Sequence, residues 1–97
     1  MKVDNDTRTL ARFYCQLAVM IRKSKTGSVT LAEAETLTKR HRDMVFSWLQ
    51  WNDAKRWFMT GTCSEGICYC LRREYRDIPT SEIAKEINTH YKLYNYD

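Results

Sequence analysis

The chain has 97 residues, with sixteen Lys and Arg against twelve Asp and Glu, for a net charge of +4. At roughly 100–200 residues per domain, this length holds one core and excludes a second. An apolar share of 43% beside 29% charged residues, with three Gly and one Pro, excludes a disordered, collagen-like or low-complexity chain.

The opening MKVDNDTRT places Asp4 and Asp6 where a secretory signal would need its apolar segment, and the longest aliphatic stretch is only Leu17 to Ile21. A cytoplasmic chain that neither crosses nor enters a membrane is therefore expected, and there Cys15, Cys63, Cys68 and Cys70 stay thiols. Leu10, Phe13, Tyr14, Leu17, Ala18 and Ile21 recur at the spacing of an amphipathic helix facing a core. Asp4, Asn5 or Asp6 can cap its start, and Arg22, Lys23 and Lys25 bring positive charge to its C-terminal carbonyls before Gly27 ends it.

Thr30 followed by Glu33 is a capping box, which opens a second helix. Ala34, Leu37, His41, Met44, Val45, Trp48 and Trp51 then repeat on one face. Asn52 and Asp53 leave two readings: one long helix to about Thr60, or a break where either residue caps a short helix carrying Trp57 and Phe58. Gly61 ends both versions. TGTCSEG reads as a turn, and ICYCLRREY then reads as a short helix, because no second alternating segment is evident to pair with a strand there. Asp77, Ile78 and Pro79 break the chain, Thr80 or Ser81 caps a last helix, and Ile83, Ile87, Tyr91 and Tyr94 form its stripe. The predicted fold is all-α: one domain over residues 1–97, a compact bundle of four or five helices around a long Trp-rich central helix.

No catalytic, cofactor or metal site is predicted. Cys63, Cys68 and Cys70 with His41 or His90 are poorly spaced for zinc, since Cys68 and Cys70 would stand about 200° apart on a helix. His41 falls on the apolar stripe and has no orienting acid at helical spacing, so it reads as a packed histidine. The C-terminal segment imitates a helix-turn-helix through Ala84 and Asn88, but Thr89 is polar where an apolar residue is needed and little chain follows.

Two features remain for binding. Basic clusters form at Lys39, Arg40 and Arg42, at Lys55 and Arg56, and at Arg72, Arg73 and Arg76. Each is either a solvated helix face or a set of forks for carboxylates or phosphates. Among the dense aromatics, Phe46 or the pair Trp57 and Phe58 is either wrapped by neighbouring helices or exposed as an interface anchor.

From Phe46 to Tyr94 the order of a Trp-rich helix, a G-I-C turn at Gly66, Ile67 and Cys68, a short basic segment and a polar helix resembles the small host-takeover and anti-defence proteins of tailed bacteriophages. The resemblance implies a non-catalytic protein that binds and inhibits or redirects a host protein; it brings no functional residues with it. The residues themselves point to a partner with an acidic or mixed surface, engaged through Arg and aromatic side chains. The alternative is a basic helical regulator that binds nucleic acid, weakly, through the same arginines.

Overall fold

The computed structural model describes residues 5–38 and 42–93. In chain order it contains α1 (Asn5–Lys23), β1 (Ser28–Thr30), α2 (Leu31–Thr38), α3 (Arg42–Gln50), a 3-10 turn at Ala54–Arg56, β2 (Phe58–Cys63), β3 (Gly66–Leu71), a second 3-10 turn at Arg73–Tyr75, and α4 (Thr80–His90). The fold is mixed α/β, which corrects the all-α expectation: helices pack against a three-stranded antiparallel sheet of order β1-β3-β2.

The first helix follows its sequence. Leu10, Phe13, Tyr14, Leu17, Ala18 and Ile21 are all buried and form the spine of the core. The capping box also forms: the Thr30 N–H donates to Glu33 Oε1 at 2.9 Å, and the Glu33 N–H donates to Thr30 Oγ1 at 3.2 Å. These bonds turn the chain directly from β1 into α2. In α4, Ile83 and Ile87 are buried and Tyr91 is half-buried just past the helix end, while Tyr94 lies outside the described residues. The cap differs from expectation. Pro79 holds that position and Thr80 is already the first helical residue.

The middle of the chain departs from both versions of the second helix. Ala34, Val45 and Trp48 are buried as the stripe requires; His41 and the side chains of Leu37 and Met44 lie outside the described residues. The helix stops at Gln50, and Trp51 is 46% exposed. Four successive backbone bonds of 3.1 Å, from Ala54 to Trp51, Lys55 to Asn52, Arg56 to Asp53 and Trp57 to Ala54, tighten the chain into the first 3-10 turn. It ends before Trp57, and Phe58 begins β2.

The short helix expected over ICYCLRREY is instead β3, with a 3-10 turn after it. Its partner is the segment FMTGTC, in register from Phe58 opposite Leu71 to Cys63 opposite Gly66. Gly61, expected to end a helix, sits mid-strand opposite Cys68. Ser64 and Glu65 form the loop, and Gly66 takes φ 110°, the positive value that returns the strand to its twist and that a residue without Cβ adopts cheaply. β1 completes the sheet by pairing Val29 with Tyr69.

Alternation along the strands then sorts the side chains. Val29, Phe58, Tyr69 and Leu71 face the helices and are buried. The hairpin tip reaches beyond the core, so Thr60, Thr62 and Ile67 are exposed although they share that face.

Tyr14 ties the layers together. Its hydroxyl donates to the Trp48 carbonyl at 2.6 Å. Its ring lies 5.6 Å from Phe13, 5.7 Å from Trp57, 5.9 Å from Phe58 and 6.4 Å from Tyr91, within the range of favourable aromatic pairing. One side chain of α1 thereby touches α3, the start of the hairpin and the end of α4. Among the described residues, no helix is long and apolar enough to cross a membrane.

Candidate functional site

Two of the three basic clusters meet. The Arg72 N–H donates to the Trp57 carbonyl at 2.9 Å, extending the hairpin by one bond, and Arg72 Nη1 donates to the Lys55 carbonyl at 3.0 Å. Segments 17 residues apart are thus fastened together, and Lys55, Arg56, Arg72 and Arg73 form one ridge across the two 3-10 turns. Arg72 is its brace, half-buried and also 3.9 Å from Glu74; Lys55, Arg56 and Arg73 are exposed. Arg76 leaves this group. Its Nε donates to the Leu71 carbonyl at 3.3 Å, and its side chain joins Arg22 at a separate cavity. Lys39 and Arg40, and the side chain of Arg42, lie outside the described residues.

Of the two aromatic anchors that the sequence offered, one is buried and the other exposed. Trp57 is 1% exposed and Phe58 is 3% exposed, because the 3-10 turn swings both inward against Tyr14. Phe46 is open to solvent on α3, as one reading allowed. Trp51, expected in the core, is also open, and it stands four residues before Lys55 on the same run of turns.

Beside the ridge is a polar cleft that the sequence reading missed, about 390 Å³ in volume and lined by Arg56, Tyr75, Glu86, Thr89 and His90 with Trp57 at its base. Asp53 accepts a bond from the Tyr91 hydroxyl at 2.9 Å and lies 3.6 Å from His90 Nε2, an ion pair when the imidazole is protonated. Tyr75 donates to Glu86 at 2.6 Å, a bond that, with partial burial, pushes its pKa up to about 12 against the opposing pull of Arg56. Burial and the bond to Asp53 raise the Tyr91 hydroxyl further still. The cleft therefore sets one fixed carboxylate, Glu86, and one phenol donor, Tyr75, next to the cationic Arg56, and His90 connects it to the Asp53–Tyr91 pair. Its lining comes from positions 56–57, 75, 86 and 89–90, with no shared sequence period to announce them.

Cys63, Cys68 and Cys70 are free thiols on the outer face of the sheet, opposite Met59, Gly61 and Gly66. The 200° separation expected of Cys68 and Cys70 on a helix becomes a shared face on a strand. Cys63 contacts Cys68, and burial together with that contact raises the Cys68 pKa. Among the described residues, no three His, Cys, Asp or Glu side chains converge as a metal-holding group. The spacing of Cys63, Cys68 and Cys70 in the sequence predicts substoichiometric zinc in purified protein and circular dichroism that EDTA leaves unchanged. Collapse of the signal on chelation would mean that metal supplies folding energy.

No protein-family model matches the chain, and comparison with curated proteins gives no significant match.

Proposed function

We propose that the protein is a non-catalytic binding protein whose ridge of Lys55, Arg56 and Arg73, braced by Arg72, docks on an acidic surface of a protein partner in the cytoplasm, with Trp51 as the neighbouring aromatic contact. The phage-like order of the chain makes that partner a host protein, inhibited or redirected by the contact. The observation that carries the reading is the Arg72 bond to the Lys55 carbonyl, which makes two small basic clusters into one preorganised surface. Arginine and tryptophan are the side chains most often found at the energetic centre of such interfaces. A nucleic-acid ligand would use the same forks on phosphates, but Asp53, Glu74 and Glu86 stand among them and interrupt a phosphate track.

The test is capture from bacterial lysate, with and without nuclease, by the wild type and by a Lys55→Glu/Arg73→Glu variant. Both residues are exposed, so the variant should melt like the wild type, surface changes away from special features costing within about 0.5 kcal/mol. A protein partner should survive nuclease and be retained at least about tenfold less well by the variant, the loss expected of an interface anchor. Loss of every captured species with nuclease would transfer the ridge to nucleic acid. Equal capture by the two proteins would remove it from the interface.

A further inference from the structure

The cavity that receives Arg76 lies on the other side of the β3 end, between the end of α1 and the sheet, and has a volume of about 440 Å³. That is within the roughly 300–1,000 Å³ of small-molecule sites. Ile21 and Leu71 give it an apolar floor; Arg22, Arg76, Thr26 and Ser28 surround it with donors.

Both guanidiniums are held by neutral acceptors. Arg22 spends two of its five N–H groups on the Tyr75 carbonyl at 2.9 Å and the Ile78 carbonyl at 2.7 Å, while Arg76 spends one on the Leu71 carbonyl. Among the described residues neither has a carboxylate partner. Backbone carbonyls thus orient two positive charges at one cavity and leave both uncompensated, with most of their donors still free. Hydroxyls line the cavity as well: Thr26 Oγ1 donates to the Ser28 carbonyl at 3.4 Å and lies 3.1 Å from Ser24 Oγ and 3.1 Å from Ser28 Oγ, and a rotation of the Thr26 or Ser28 hydroxyl would turn its proton to a ligand instead. Gly27, at φ 75°, has nothing within 4 Å of the position a Cβ would take, so the loop wall is open there.

We propose that this cavity binds a small phosphomonoester, its dianion held by Arg22 and Arg76 with the Thr26 and Ser28 hydroxyls, and its organic body laid on Ile21 and Leu71. Two guanidiniums match the charge of the dianion, and forked N–H donors match its oxygens. The apolar floor distinguishes this ligand from inorganic phosphate, which has nothing to place there.

The experiment is a titration followed by amide NMR at constant ionic strength, with phenyl phosphate, inorganic phosphate and phenol as three separate probes. Phenyl phosphate should move the Thr26, Gly27 and Ser28 amides saturably, with a Kd near or below about 1 mM. Inorganic phosphate should move the same amides several-fold more weakly, and phenol should leave them in place. Arg76→Gln, at an exposed side chain, should stay folded and lose at least about tenfold in affinity for phenyl phosphate. Equal affinity for phenyl phosphate and inorganic phosphate would overturn the organic half of the site. Still amides, shifts confined to other segments, or unchanged binding by the folded Arg76→Gln variant would overturn the site itself.

Discussion

Trp57→Ala should unfold the protein or bring it to the edge of unfolding. The indole is 1% exposed and packs 5.4 Å from His90, 5.7 Å from Tyr14 and 6.2 Å from Tyr91. Truncating such a side chain costs about 3–5 kcal/mol, against a total stability of about 5–15 kcal/mol for a domain of this length. Trp57→Phe is the informative companion. Its indole Nε1 is buried with no acceptor among the described residues, so phenylalanine removes an orphaned donor while keeping most of the aromatic volume. Urea midpoints should fall steeply for alanine and little for phenylalanine. Near-wild-type stability of Trp57→Ala would mean that the 3-10 turn does not seat the indole in the core.

A second large effect is expected in alkali. Tyr14 and Tyr91 have hydroxyls raised above the ordinary tyrosine pKa near 10, chiefly by burial, with the Asp53 charge adding to both. Tyr75 is raised to about 12 by its bond to Glu86, and Cys15 to about 11 by burial. In each case the folded state keeps a proton that the unfolded chain releases. These groups therefore contribute their full stability below the unfolded pKa and lose it as pH rises toward the folded one. The urea midpoint should hold steady to about pH 9, decline as Cys15 enters its window, and drop steeply above about pH 10, where each fully shifted group adds up to about 1.4 kcal/mol per pH unit. Tyr75 is partly exposed and its share is smaller. Tyr14→Phe, which gives up the bond to Trp48, should start lower and fall less steeply. A profile flat to about pH 11 would contradict the burial of these phenols.

How much of this was legible depended on how much of each element faces the core. The α1 stripe was readable because six positions at helical spacing are all buried, and the Thr30–Glu33 box because its bonds are local. β2 was unreadable for the opposite reason. Of its six residues only Phe58 is buried, so the period of two that marks a half-buried strand is missing, and β3 was left with no legible partner. Trp51 and Trp57 misled in a related way: the helical spacing continues past Gln50, where the backbone no longer does. The basic residues were visible as composition, but their grouping is tertiary. Arg72 reaches Lys55 across the hairpin, and Arg76 joins Arg22, which a sequence reading treats as no more than a helix C-terminal charge.

The strand order β1-β3-β2 leaves the outer side of β2 without a strand partner among the described residues. Neighbouring N–H groups along an antiparallel strand point to opposite sides, so alternate amides of Phe58–Cys63 bond to β3 while those between them point outward. In deuterated water this one segment should consequently keep two clocks. The outward amides exchange from the intact fold, and the inward ones wait for the hairpin to part. The slower clock reads the free energy of opening β2 from β3 directly, separate from the global stability that α1 and its buried tyrosine report.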